Sequence, residues 1–259
     1  YEIVSRDWSS DVCSSDLYAT APVGTGKTLV PAGSVSDGNG GANYDVTFAN
    51  ADTGSITPAT LTVTPDAISV SYGDPEPAYP FSVTGFVHGE TVGSATGYVA
   101  PTCGSAYTDA TSVAGSPLTI ACGGGVNPGT AGSAADYEFS YATADLTVVP
   151  AAVTVTATRT PVEPVSGDTL RASATFTAPG TVTGSVRFDL YAGDACAGDP
   201  IDTETGPIVT GEATTPTGYP GATDGWYSRI STYLGDTDHD TAATTCEGFR
   251  VRKVATSTK

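Results

Sequence analysis

The segment Leu61–Val70, LTVTPDAISV, returns as LTVVPAAVTV at Leu146–Val155. In each copy an alternating apolar run is cut by a proline and then resumes. Proline has no N–H to give to a ladder, so each copy reads as two short strands with a break between them. Leu61 and Val63 fall on one face, and Ile68 and Val70 share a face after the break at Pro65. A second pair of segments repeats as well: NYDVTFANAD at Asn43–Asp52 and DYEFSYATAD at Asp136–Asp145. Tyr44 matches Tyr137, Phe48 matches Tyr141, and each copy follows a Gly/Ala-rich loop. Upstream, Tyr18–Leu29 lies over Tyr107–Leu118 with a small gap. The spacing is about 85 to 93 residues. That is the length of a domain, so the chain reads as a tandem of related modules.

The material between the repeats allows short strands and little else. The chain has 31 Gly and 18 Pro, which interrupt it too often for long helices, and β-branched runs fill the gaps. The fold class expected is all-β, mostly β: tandem small β modules ending in an immunoglobulin-like β-sandwich. Five segments follow. Residues 1–17 are not a domain, 18–57 form a truncated half-module, and 58–149 form one complete module. Residues 150–254 form the sandwich and 255–259 a tail. Within the sandwich, Leu170–Phe176 alternates, and Val186, Phe188 and Leu190 share a face. Strands are expected to begin near Trp226 and near Phe249, with Trp226 in the core. One stretch, His88–Ala95, has room for a single helical turn.

Residues Arg6–Leu17, RDWSSDVCSSDL, resemble the in-frame translation of a common short-read sequencing adapter. Such a scar is excluded from fold reasoning, and Trp8 and Cys13 go with it. The first module then begins where the second is half complete, so residues 18–57 read as half a module with an unpaired strand edge. Without Cys13, four cysteines remain: Cys103, Cys122, Cys196 and Cys246. An even number in a loop-rich β-protein fits an oxidising compartment. Four cysteines allow three pairings, and the sequence alone does not choose among them. Proximity and modular organisation favour Cys103–Cys122 and Cys196–Cys246, closing loops worth roughly 3 and 4 kcal/mol. The spacings form no zinc knuckle.

Charge narrows the partners. The chain has 28 acidic and 10 basic residues, a net charge of −18, and Asp66–Val149 contains no Lys or Arg. Nucleic acid and anionic membrane surfaces are both disfavoured by such a field. No apolar stretch is long enough to span a bilayer, and no signal peptide is present, as for an internal fragment. No direct membrane insertion is expected of it.

The segment Tyr72–Thr91, YGDPEPAYPFSVTGFVHGET, with the closing DYEFSYATADLTV, resembles the MBG family, named for being mostly β and glycine-rich. The family pattern usually has Asn-Gly-Asp where this chain has His88-Gly89-Glu90. The half-module, with VGTGKTL and GGANYDVTF, resembles the related YDG repeat. GSVRFDLYAGDAC (Gly184–Cys196) and CEGFRVRK (Cys246–Lys253) resemble bacterial Ig-like repeats of surface proteins. These resemblances imply stalk or presentation modules of large bacterial surface adhesins, extracellular or at the cell surface. They bring no catalytic residues and no cofactor.

Three motifs compete with that reading. Ala21–Thr28, APVGTGKT, meets a loose phosphate-binding pattern, but Pro31 and the glycines around it forbid the helix that such a site needs. Asp236, Asp238, Asp240 and Glu247 stand at positions 1, 3, 5 and 12 of a calcium-loop pattern, with Thr241 where the loop needs Gly. The competing reading is an acidic tip on a hairpin. The histidines, His88 and His239, are both expected to be exposed, which leaves no triad in view. The function expected is a spacer whose partners are neighbouring modules of the same protein, with no enzyme activity. The alternative is a module binding a glycan or a surface protein, through loops or a sheet edge, with exposed aromatics such as Tyr219 or Tyr227 clustered in one patch.

Overall fold

The computed structural model describes residues 23–31, 39, 42–45, 47–129 and 135–254. The adapter-like segment with Trp8 and Cys13, and the tail at 255–259, lie outside the described residues. Among the described residues seventeen strands follow one another. The first nine are β1 (Gly24–Leu29), β2 (Ala51–Ile56), β3 (Ala59–Pro65), β4 (Ile68–Ser71), β5 (Phe81–Thr84), β6 (Thr102–Gly104), β7 (Leu118–Gly123), β8 (Tyr137–Tyr141) and β9 (Thr143–Val149). The others are β10 (Thr154–Thr160), β11 (Arg171–Thr177), β12 (Ser185–Ala192), β13 (Asp202–Val209), β14 (Glu212–Thr214), β15 (Gly225–Tyr233), β16 (Ala242–Ala243) and β17 (Glu247–Val251). The expected all-β class is what the chain adopts.

Helical structure among the described residues is one 3₁₀ turn at Val113–Gly115. At His88–Ala95 there are hydrogen-bonded turns and no helix. Ser94 Oγ accepts from Thr91 N–H at 2.9 Å, and Thr91 Oγ1 accepts from Gly93 N–H at 3.3 Å. Side chains of this kind offer the backbone an alternative to a helix.

Two compact units interleave along the sequence. The first holds the described residues up to Asp66, with Tyr79–Gly104 and Ala121–Ala144. The second holds Ala67–Ala78, Ser105–Ile120 and the chain from Asp145 onward. Residues 58–149 therefore contribute to both.

In the first unit β1 pairs antiparallel with β2, and β3 lies between β5 (antiparallel) and β8 (parallel). Leu61 and Val63 of β3 are fully buried, as their alternation requires. Tyr137 of β8, opposite Ala59, is buried too, and its ring meets Phe86 edge-on at 5.7 Å. Phe86 in turn contacts Tyr98, Tyr98 contacts Phe139, and Phe139 contacts Tyr141. Such aromatic pairs add about 1 kcal/mol each beyond the area they bury. The Tyr137 hydroxyl is bonded to the Glu90 carboxylate and receives the Val87 N–H at 3.2 Å. Burial first, and then Glu90, push this phenol above its ordinary value. At Gly85, with φ 105°, a Cβ would stand 2.1 Å from the carbonyl oxygen of Thr60, so no side chain fits. The pair β6 and Ala121–Gly123 carries the Cys103–Cys122 disulfide between directly opposed residues.

In the second unit β4 runs parallel to β9, and Leu146, Val148 and Ile120 are buried there. The remainder is a sandwich. One face consists of β10, β11 and β14, and the other of β17, β15, β12 and β13. Strand β13 passes from one to the other. Its first residues, through Pro207, pair with β12, and then Ile208 and Val209 pair with β14. Thr210-Gly211 makes the two-residue turn, both with positive φ (52° and 82°), as the twist of a tight hairpin demands. Between the faces lie Ala172, Ala174, Val186, Phe188 and Ala213, with a second cluster of Leu170, Ala222, Tyr227, Phe249 and Val251.

Candidate functional site

The acidic stretch expected at a solvated hairpin tip is instead densely bonded to the rest of the second unit. Gly235 turns the chain, and Asp236 folds its carboxylate back over the next three residues. Asp236 Oδ2 accepts from the backbone N–H of Thr183 at 2.9 Å and from its hydroxyl at 2.8 Å. Asp236 Oδ1 accepts from Asp238 N–H at 2.9 Å and lies 2.8 Å from His239 Nδ1. Burial would raise this carboxyl, but the bonds from Thr183, His239 and Asp238 outweigh it and hold the group far below the usual carboxylate range.

Asp238 faces the other way. Its Oδ1 accepts from the Ser112 hydroxyl at 2.7 Å and from Val113 N–H at 2.8 Å. Ser112 is also the cap of the 3₁₀ turn, accepting from Ala114 N–H at 3.3 Å. One carboxylate thus holds the start of that turn. The backbone completes the attachment. Ala151 N–H donates to the Asp238 carbonyl at 2.8 Å, and Asp240 N–H donates to the Ala151 carbonyl at 2.9 Å.

His239 is 2 % exposed, which corrects the expectation of an exposed side chain. Its Nε2 lies 2.7 Å from the carbonyl oxygen of Pro179, and the Tyr72 ring meets it edge-on at 5.5 Å. Both ring nitrogens therefore face protein acceptors. Gly73, with φ 85°, follows Tyr72, and a Cβ there would stand 2.2 Å from the Pro179 Cβ. Only glycine lets the Tyr72-Gly73 turn come this close. His88 does lie exposed, on a turn with φ 55°.

The third proposed calcium position, Asp240, is exposed, and Glu247 lies on β17 with two arginines. Arg229, nearly buried, donates from Nε and Nη2 to Glu247 Oε2 at 2.8 and 2.6 Å, and from Nη1 to the Thr158 carbonyl at 2.6 Å. Burial lowers its affinity for the proton and Glu247 opposes that. Arg159 also bonds Glu247 and stands over the Phe249 ring at 5.1 Å. The carboxylates of Asp236, Asp238 and Glu247 thus serve separate partners, and Asp240 points to solvent. Among the described residues no group of three His, Cys, Asp or Glu side chains is placed to hold a metal ion. The neighbouring Cys246 is bonded to Cys196, with Cα atoms 6.0 Å apart.

The site thus joins Tyr72-Gly73, the Ser112 cap and the 235–240 loop. The first two belong to the segment that the sequence likened to a known module. Residues 61–147 match the family model of the MBG domain, YGX type. The match spans about a third of the chain. It bears out the MBG reading of the complete copy and does not reach the sandwich. No curated protein and no solved structure matches the chain. Within the MBG segment the first and last strands keep one register. Ala59 of β3 pairs with Tyr137 of β8, and Ile68 of β4 with Leu146 of β9, in both cases 78 positions later and in parallel.

Elsewhere the sequence-based expectations divide. GTGKTL is β1, a strand, where the phosphate-loop pattern needs a loop that opens a helix. Trp226 is 52 % exposed, which corrects its expected place in the core. Strand β15 turns Tyr227 inward, where it stacks on Phe249 with centroids 6.0 Å apart, and so Trp226 points out. Tyr227 is accordingly buried and Tyr219 half-buried against the same cluster, so neither belongs to an exposed aromatic patch. Sequence reasoning missed Ser112, Thr183 and Pro179 altogether. Beside the acidic run itself, the glycine that follows Tyr72 is a local signal of the close approach made here.

Proposed function

We propose that this chain is a structural stalk or presentation segment of a secreted or cell-surface bacterial adhesin-like protein, without catalysis, and that its sandwich is immunoglobulin-like. The observation that carries the reading is the direction of entry and exit strands. In the MBG segment, β3 with β8 and β4 with β9 run parallel at one register. In the sandwich, Ala151 bridges His239 in parallel at one end and Val165 bridges Arg252 in parallel at the other. In the MBG segment the chain therefore leaves in the direction in which it entered, and in the sandwich the two parallel bridges tie the entry residue Ala151 and the exit residue Arg252 to inner loops. Tension along the chain loads the cross-strand hydrogen bonds together, in shear, instead of opening them one at a time. That is a property a spacer needs.

Three further observations support the reading. The strand order β10-β11-β14 against β17-β15-β12-β13 fits an immunoglobulin-like connectivity. Two disulfides fit an oxidising, extracellular setting. The MBG match is to a module type that resembles those of surface adhesins. The partners on this reading are neighbouring modules of the same protein.

Single-molecule pulling from the two ends of the chain tests it. The sandwich is expected to unfold in one high-force step. Ala151→Pro removes the N–H that bonds Asp238 and should lower that force while leaving the melting temperature nearly unchanged. Unfolding at a force no higher than that of a lone hairpin, with or without the proline, would sink the proposal.

A further inference from the structure

The outer face of the sandwich carries a feature that a spacer does not require. Trp226 on β15 stands directly opposite Arg250 on β17, and Arg252 lies two residues further along the same outward face. Lys253 follows, and with Asp224 these residues line an open concavity. Three of the ten cationic side chains in a chain of net charge −18 are gathered here. Asp224 is the one carboxylate among the lining residues, and it stands 3.7 Å from Arg250, a loose and exposed pair. Among the described residues no ion pair holds Arg252 or Lys253. Trp226 is the one aromatic of the second unit that is exposed, where tryptophan is on average highly buried.

The chemistry of the patch selects its ligand. The flat indole offers a face on which the C–H side of a sugar ring can lie, and guanidinium forks match carboxylates bidentately. The surrounding charge sets the size of the anion. Screening confines the patch's field to about 8 Å at physiological salt. A ligand with isolated carboxylates meets three cations against the single carboxylate of Asp224, whereas a dense polyanion such as nucleic acid also meets the acidic remainder of the surface. We propose that Trp226, Arg250, Arg252 and Lys253 form a binding site for a saccharide chain bearing uronic or sialic acid carboxylates. The site stands independently of the stalk reading, because it uses the outward face of strands whose inward face builds the core.

The test uses the full chain, immobilised, against oligosaccharides bearing glucuronic, galacturonic or sialic acid and against their carboxyl-reduced counterparts. At least one acidic oligosaccharide should bind, at least tenfold more tightly than its reduced form. Binding should weaken as salt rises from about 0.05 to 0.5 M. Trp226→Ala, and separately Arg250→Gln with Arg252→Gln, should each lose tenfold or more, with melting temperatures unchanged. Trp226→Phe should keep most of the affinity. Equal binding of the reduced sugars, no binding of any acidic sugar at millimolar concentration, or full retention in Trp226→Ala would each overturn the proposal. Preferential capture of a single-stranded oligonucleotide or of a protein would overturn it too. The comparison of acidic with reduced sugars needs no variant, so a variant that failed to fold would not leave the question open.

Discussion

Tyr44 and Tyr137 hold the same place in two copies of one motif, yet Tyr44 is 52 % exposed and Tyr137 is 3 % exposed. Phe48 is 50 % exposed as well. The motif is the same in kind: a tyrosine, alternation, a second aromatic four residues on, and Ala-Asp. The difference lies in what covers it. Around Tyr137 stand the parallel strand β3, paired at Ala59, then Phe86, and the Glu90 turn that takes the hydroxyl. The described residues around Tyr44 supply no such set. Alternation makes a segment ready to be half-buried, and only distant strands bury it.

The largest expected effect breaks this comparison directly. Tyr137→Ala should cost about 4 kcal/mol, because it empties a filled core site and leaves Glu90 without its partner. Tyr44→Ala should change stability by less than about 0.5 kcal/mol. Denaturant midpoints of the two variants decide it, and equal losses would mean that the copies are packed alike. Next comes the tether of the first unit. Replacing both Cys103 and Cys122 by Ser should cost about 3 kcal/mol, against about 4 for Cys196 and Cys246, because the second loop is longer. The order of the two melting temperatures checks it.

The acidic loop gives a smaller and pH-dependent effect. The Asp236 carboxyl is held below its unfolded value of about 3.9. Its contribution is therefore whole at neutral pH and declines as pH falls below about 4 towards the folded value. Asp236→Asn should lose about 2 kcal/mol at pH 7 through weaker bonds to Thr183, and should flatten the acid limb of the stability curve. An acid limb of unchanged slope would assign that limb to other groups. Smallest is Trp226→Phe, expected within about 0.5 kcal/mol since the ring points out, while Tyr227→Ala on the next residue should cost several times more.

Much of the fold was legible because its signals are local. The tripeptide Leu-Thr-Val occurs at 61 and at 146, and in both places Leu and Val are buried. Proline at 65 and 150 ends a strand in both copies. The candidate site was far less legible. Asp236, Asp238 and Asp240 were visible as an acidic run with calcium-like spacing, but their partners were not. Asp238 meets Ser112 across 126 positions of sequence, and Asp236 meets Thr183 across 53. A spacing rule sees carboxylates and infers a cation, since it cannot see hydroxyl and N–H donors arriving from elsewhere. Trp226 failed for a related reason. Large apolar residues are usually inside, but on β15 the inward position fell to Tyr227, which stacks on Phe249 from the neighbouring strand.

By itself the sequence determined that the chain would be all-β, which residues alternate, and where prolines at 65 and 150 end strands. These follow from proline's missing N–H, glycine's free φ and the two-residue period of a strand, all properties of neighbouring residues. The tertiary structure alone decided which copy of the tyrosine motif is buried and which ring of Trp226-Tyr227 faces out. It also decided that an acidic loop holds a serine cap and a buried histidine. Burial and charge compensation depend on groups brought together from distant parts of the chain, and no local spacing encodes which of them arrive.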